Sequence, residues 1–195
     1  MSDERREDPP TEAPSSAERR AQKRVSSRVL VNTGDGKGKS SAAFGVAMRA
    51  AGNGWRVAVV QFLKSDRWKT GEQAAAKTLG IDWWSLGDGF TWDSANMDET
   101  EAIAREAWRS AAELIRAGAH RLVVLDEITY PMTWGWISTV EVVETIRSRP
   151  ADVSVIATGR DAPQELRDLA DTVTDMAAEK HAFDQGISAM RGIEF

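Results

Sequence analysis

Residues 31–41 read Val-Asn-Thr-Gly-Asp-Gly-Lys-Gly-Lys-Ser-Ser, between an apolar run and a helical pattern. Glycines let a backbone turn tightly with its N–H groups pointing inward. Together with a helix N-terminus, those N–H groups form a nest for phosphate oxygens. Lys39 adds a mobile positive charge, and Ser40 offers a hydroxyl to Mg²⁺. Thr33, Gly34, Asp35, Gly36, Lys37, Gly38, Lys39, Ser40 and Ser41 are therefore candidates for a Walker-type phosphate loop. The opening glycine of the strict pattern GxxxxGK[ST] would fall on Thr33, and Gly34 comes one residue late. The bland alternative is a glycine-rich strand-to-helix turn without a ligand. Strand, helix and Lys-Ser pair together favour phosphate.

A second signal is Leu122-Val123-Val124-Leu125-Asp126-Glu127, an apolar run closed by two carboxylates. At the C-terminal end of a buried strand such an acid can face the phosphate loop. It can then hold Mg²⁺ directly or through water, so Asp126 and Glu127 join Ser40 as metal candidates. The third signal is Gly87-Asp88-Gly89-Phe90-Thr91-Trp92, preceded by Trp83 and Trp84. Two large aromatics in a loop either anchor the loop on the core or present a flat apolar surface. Trp134 and Trp136 add aromatic area near the same edge. Phosphate recognition beside flat aromatic surface suggests two substrates, one a nucleotide and one large and apolar. Thr158-Gly159-Arg160 follows a further apolar run, where Arg160 either reaches phosphate or is a plain surface arginine. Lys180-His181 in the polar C-terminal stretch reads as a surface pair.

The elements that must position these residues are legible as short runs rich in β-branched residues: Val29 to Val31, Val57 to Phe62, Leu122 to Leu125 and Val153 to Ala157. Apolar along their whole length, they read as strands buried on both faces of a parallel sheet. One helix is expected from Lys39 to Ala51, closed by Gly52 as its C′ glycine. Another runs from near Asp98 to before Gly118, with Ile103, Ala107, Ala111, Leu114 and Ile115 on one stripe. A third starts at Ser138, where Glu141 three residues on makes a capping box, and stops before Pro150. A fourth starts between Asp161 and Pro163. This alternation predicts an α/β domain of three layers, a mostly parallel central sheet with helices on both faces.

The chain has 195 residues, 42% of them apolar and 28% charged, which is the balance of one globular domain. With no cysteine there is no disulfide, thiolate metal site, iron–sulfur cluster or cysteine nucleophile. Two histidines, His120 and His181, exclude a histidine-rich metal site. Residues 1–26 carry six acids and six bases, several prolines and serines, and almost no large apolar side chain. Alone they cannot offset their ordering entropy, so they read as a flexible segment, with residues 17–25 able to form a short helix on a receiving surface. The folded domain is expected over 27–195. The net charge of −5 belongs wholly to that part and argues against nucleic acid as the main partner. The start is too polar for a signal peptide, and no apolar run approaches the roughly 20 residues of a membrane span. The expectation is a soluble, cytoplasmic protein.

Taken together, the motifs resemble the P-loop corrinoid adenosyltransferases, which act with ATP on cob(I)alamin or cobyrinic acid a,c-diamide. The resemblance runs in order through TGDGKGKSSAAFG at 33–45, VVQFLK at 59–64, Gly71-Glu72, GFTW at 89–92, VVLDEITY at 123–130, Arg149-Pro150, TGR at 158–160, ADTVT at 170–174 and KHAFDQGI at 180–187. The late glycine of the phosphate loop is itself a mark of that family. Asp35 stands where the family usually has Asn, and Ser40-Ser41 where it usually has Thr-Thr.

The resemblance implies a P-loop NTPase-like fold and transfer of the 5′-deoxyadenosyl group of ATP to a reduced corrinoid, with triphosphate leaving. It assigns ATP binding to the phosphate loop, Arg49 and Arg160, and corrinoid binding to Phe90, Thr91, Trp92, Trp134, His181 and Phe183. Lys39, Phe90, Trp92 and Glu127 become the catalytic candidates, with Mg²⁺ or Mn²⁺ as the metal. Phe90 and Trp92 would wedge beneath the corrin, evict its lower ligand and ease reduction of Co(II). It further implies a homodimer, an N-terminal segment folding over the corrinoid, and an external electron donor of the flavoprotein kind. Two rivals from other classes are an ordinary ATPase or kinase and a corrinoid or ATP-binding protein without turnover.

Overall fold

The computed structural model describes residues 23–64, 70–87 and 97–194. Six strands form one sheet: β1 (Val29–Thr33), β2 (Val57–Phe62), β3 (Asp82–Leu86), β4 (Leu122–Asp126), β5 (Ser154–Thr158) and β6 (Thr172–Asp175). Their order is β3-β2-β4-β5-β1-β6, and every pairing is parallel. The connecting helices are α1 (Lys39–Gly52), α2 (Gly71–Thr78), α3 (Met97–Ala117), α4 (Thr129–Thr133), α5 (Thr139–Arg147) and α6 (Gln164–Leu169).

The period of two along each strand divides the core into two layers. Val57 and Val59 of β2, with Leu122 and Val124 of β4, pack against Ala43, Phe44 and Ala47 of α1 and Ala76 of α2. Their alternates Ala58, Val60, Val123 and Leu125 pack on the other face against Ala107, Trp108 and Ile115 of α3, Val142 and Ile146 of α5 and Leu166 of α6. Central strands β2, β4 and β5 are buried at every residue, as an apolar run without alternation requires when both faces are covered. The three-layer α/β architecture expected from sequence is present, and it is consistent with a P-loop-like domain.

Several local expectations need amendment. Gly52 is the last residue of α1 and not its C′ glycine; Asn53 takes the C-cap, and the left-handed turn falls on Gly54 at φ +76°. On α3 the buried stripe is rotated toward Ala104, Trp108 and Ala112, which leaves Ile103 and Leu114 half-buried. The Ser138 hydroxyl does accept from the Glu141 N–H, at 3.4 Å. The Glu141 carboxylate does not complete the box, because it accepts from Trp108 Nε1 at 2.8 Å and so ties α5 to α3. Trp83 and Trp84, ahead of the aromatic loop, lie in strand β3, which the sequence reading did not mark, and point to opposite faces. Trp83 packs on Phe44 with ring centroids 4.9 Å apart, while Trp84 meets His120 edge-on.

This topology fixes where a site can form. The chain leaves β1 and β2 into helices on one face, and leaves β4 and β5 into helices on the other. Neighbouring strands whose connections diverge leave a crevice beyond their carboxyl ends. That condition holds at β1/β5 and at β2/β4, and the four strand ends there carry the glycine-rich loop, Gln61 and Lys64, Asp126 and Glu127, and Thr158 to Arg160.

Candidate functional site

The glycine-rich loop spans the gap between β1 and α1. Thr33, where a strict Walker pattern has glycine, is the last residue of β1. It pairs in register with Asp175, and its Oγ1 accepts from the Ala162 N–H at 3.2 Å. The turn therefore starts at Gly34, at φ +93°, where a Cβ would sit 2.6 Å from the Met176 carbonyl oxygen. The Gly36 N–H donates to that same carbonyl at 2.6 Å, so the loop lies flat on the chain leaving β6. Gly38, at φ +111°, opens α1. Lys39 folds back over the loop, and its Nζ donates to the carbonyls of Gly34 and Gly36, each at 2.7 Å. Burial lowers its pKa, and the charge of Glu127 opposes that shift. Ser40 follows in the first helical turn, and Ser41 is exposed beside it.

Asp126 ends β4 with its side chain wholly buried. Its Oδ1 accepts from Thr158 Oγ1 at 2.8 Å and its Oδ2 from Gln61 Nε2 at 2.9 Å; Lys64 Nζ lies 4.0 Å from Oδ2. Gln61 in turn accepts at Oε1 from Trp83 Nε1 (3.1 Å) and Ser85 Oγ (3.3 Å). Glu127 stands in the left-handed region at φ +63°, and its N–H donates to Thr158 Oγ1 at 2.9 Å. Burial first, and the neighbouring charge of Asp126 second, push its carboxyl up to about 7, against the pull of Lys64, Lys39 and Arg160. Its Oε2 is buried without a hydrogen-bond partner. An orphaned carboxylate oxygen in the field of Lys39 is a donor a hard cation would take, so Glu127 fits a Mg²⁺ or Mn²⁺ site. Asp126 fits one less well, since both its oxygens are engaged and none reaches the surface. Among the described residues no cluster of three or more His, Asp or Glu side chains could hold a metal by itself.

Arg160 reaches the glycine-rich loop. Its Nη2 donates to the Asp35 carbonyl at 3.4 Å, and its Nε lies 3.7 Å from Asp35 Oδ1. The Asp35 side chain is mostly exposed and lies against Arg160, and its charge is still felt at Lys39. Lys37 is exposed on the same turn. Trp134 closes α4, where it packs tilted against Tyr130 and edge-on against Trp136 at centroid distances of 5.5 and 4.6 Å, a few residues beyond Glu127.

Other expected residues lie farther off or elsewhere. Arg49 is ten residues past Lys39 on α1, about 15 Å along the axis, so this chain does not bring it to its own loop. The His181 Nδ1 accepts the Phe183 N–H at 3.0 Å and caps a short 3₁₀ turn (Ala182–Gln185) instead of pairing with Lys180. Phe183 is 77% exposed. Phe90, Thr91 and Trp92 lie outside the described residues. Arg149 is a staple: its guanidinium donates to the Val153 and Ile146 carbonyls and to Ser27 Oγ.

Sequence reasoning missed Gln61, Lys64 and Thr158 as site residues. Gln61 carried a signal, as the one polar side chain in the buried run Val-Ala-Val-Val-Gln-Phe. Register places it level with Asp126 on one side and Ser85 on the other.

A parallel sheet of this order defines an α/β domain, and the glycine-rich loop after β1 with the carboxylate pair at the end of β4 is consistent with the P-loop-like kind. The family model described as ATP:corrinoid adenosyltransferase BtuR/CobO/CobP matches residues 26–195. The chain is 40% identical over 167 residues to the corrinoid adenosyltransferase of Escherichia coli K12, covering 86% of this chain and 85% of that protein. It is 38% identical to corrinoid adenosyltransferase CobA of Salmonella typhimurium LT2, with the same coverage. Against the corrinoid adenosyltransferase of Pseudomonas aeruginosa PAO1 the identity is 42% over 169 residues, covering 86% and 83% of the two chains. The protein belongs to the ATP:corrinoid adenosyltransferase family.

Proposed function

We propose that the protein moves the 5′-deoxyadenosyl group of ATP onto the cobalt of a reduced corrinoid, forming a Co–C bond and releasing triphosphate. The observation that carries this reading is the meeting of Lys39, Arg160 and the orphaned Glu127 carboxylate at one crevice, in a chain of this family. Cobalt is the attacking atom, so no side chain has to remove a proton from a nucleophile. The protein's task is alignment of cobalt, C5′ and the departing oxygen, and such alignment can supply about 7–11 kcal/mol. Lys39 and the loop amides bind and orient the triphosphate, and Arg160 adds charge from the β5 side. Ser40 and Glu127 would hold Mg²⁺ or Mn²⁺, which when bound neutralises charge on the leaving group.

Phe90, Thr91 and Trp92 take the corrinoid face in this reading, with Trp134, His181 and Phe183 at its rim and residues 1–26 as cover. Water competes with cobalt for the sugar carbon, and aromatic cover excludes it. An external reductant, a flavoprotein by class, supplies the electron that a chain without cysteine does not hold. A cytoplasmic homodimer completes the proposal; the edge strand β6, whose four residues are all exposed, supports a second copy. Among the described residues no helix is long and apolar enough to cross a membrane. The test is an anaerobic assay with ATP, Mg²⁺ and prereduced corrinoids of several degrees of completion. A light-sensitive alkylcobalt product with intact triphosphate is expected. ADP or phosphate without that product would overturn the reading in favour of an ordinary ATPase or kinase.

A further inference from the structure

The side chains at the carboxyl ends of β3, β2, β4 and β5 form one hydrogen-bonded row. Trp83 and Ser85 donate to Gln61, Gln61 donates to Asp126 Oδ2, and Thr158 donates to Asp126 Oδ1. The Thr158 oxygen then accepts the backbone N–H of Glu127. Each donor in the row is used once, and the row ends on the amide of Glu127, which among the described residues is the one carboxylate with an unpartnered buried oxygen. Glu127 needs such a hold. A left-handed backbone costs a residue with a side chain of order 1 kcal/mol or more, and it persists only where the surroundings over-determine it. Two more non-glycine residues at this edge share that conformation, Leu63 after β2 (φ +66°) and Asp161 after β5 (φ +50°). Leu63 leads into Lys64, whose ammonium flanks the same Asp126 oxygen. The edge is therefore built to fix directions and not to relax.

We propose that Thr158, which holds the Glu127 amide directly, and Gln61, which acts on Thr158 through Asp126, are positioning residues that aim the Glu127 carboxylate into the crevice, and that Asp126 is the hub of this row and not a direct metal ligand. A carboxylate with no exposed surface, whose two oxygens face an amide, a hydroxyl and an ammonium, cannot turn toward the crevice without breaking the row. The inference rests on the adenosyl-transfer reading for its activity readout, but its structural readout does not.

Three variants test it. Thr158→Val keeps the shape and removes the hydroxyl, Thr158→Ser keeps the hydroxyl, and Gln61→Met removes the amide at nearly constant volume. With ATP, Mg²⁺ and prereduced corrinoid, Thr158→Val and Gln61→Met should lose about 10- to 100-fold in kcat, the usual cost of an outer-shell partner, while KM for ATP stays near wild type. Thr158→Ser should restore kcat. In ligand-free protein, hydrogen exchange at the Glu127 amide should quicken about fivefold or more in Thr158→Val, as expected for one lost hydrogen bond, with the β4 amides unchanged. The double variant should lose less than the product of the two single losses, since one row is broken twice.

A Thr158→Val enzyme with wild-type kcat overturns the proposal, as does a Thr158→Ser enzyme no better than Thr158→Val. Exchange that quickens across the whole sheet overturns it too, because the hydroxyl would then be merely structural. If Thr158→Val does not fold, Thr158→Ala and Gln61→Met carry the same comparison. A wild-type enzyme that makes no alkylcobalt product refutes the functional reading instead, and leaves the exchange experiment to decide the row.

Discussion

Glu127 holds its proton far above the ordinary carboxylate range, because burial and Asp126 both disfavour its charge. The sign of the consequence follows from linkage. Its folded pKa, about 7, exceeds the ordinary value of 4.5, so the folded state binds the proton more tightly than the unfolded state. Its contribution to stability is therefore fully present below pH 4.5 and is lost as the pH rises to about 7. In metal-free buffer, Glu127→Gln should match wild type in acid and become the more stable protein at pH 8, as followed by thermal unfolding. A difference that stays flat across that range would mean the carboxylate is not desolvated as described. Lys39 allows a second forecast. Removing a charged group aimed at a leaving anion typically costs on the order of 10²–10³ in rate, so Lys39→Ala should reduce kcat/KM for ATP by about that factor. Steady-state kinetics at varied ATP would measure it, and a loss of only a few-fold would detach Lys39 from the triphosphate.

At the level of elements, β1, β2, β4 and β5 were legible because a strand covered on both faces must be apolar throughout. β3 and β6 were not, and for different reasons. In β3 the paired tryptophans Trp83 and Trp84 serve opposite faces at an edge, which reads like an aromatic loop when no partner strand is visible. In β6 all four residues are exposed, so no pattern of burial marks Thr-Val-Thr-Asp as a strand. α2 is alanine-rich and polar, and it buries only Ala76. The site divides the same way. Glu127 and Arg160 closely follow apolar runs and Lys39 closes the glycine-rich loop after another, so all three could be read as strand-end chemistry. Gln61 and Thr158 matter only through lateral neighbours, which register supplies and linear sequence does not. Gly159 gives the forecast at this scale. It sits at φ +136°, and a Cβ there would overlap Thr129 Oγ1, which itself donates to the Arg160 carbonyl at 2.5 Å. Gly159→Ala should lower stability by about 1–3 kcal/mol and pull Arg160 from the glycine-rich loop. Denaturant unfolding together with ATP titration would reveal both effects. An alanine variant of native stability and affinity would contradict the packing of α4 on that turn.

For the molecule as a whole, the crevice is one product of how connections diverge from the sheet, and it gathers charge on its nucleotide side. In the proposed reading, Phe90 and Trp92 take the corrinoid side and the electron comes from an external donor. Trp92→Ala should therefore slow adenosylation sharply when Co(II) is offered with a weak reductant, and much less when Co(I) is prepared chemically. Parallel assays under the two regimes decide it; equal losses in both would remove the wedge from the mechanism.

An ammonium group has three protons to give, and Lys39 commits two of them to the carbonyls of Gly34 and Gly36. The lysine is thus a latch closed on its own cradle. To grip an incoming anion with more than its single spare proton it must release its hold, which strands two carbonyls at once and frees the turn to reshape. For an anion held by more than that spare proton, capture and rearrangement of the cradle are then a single event.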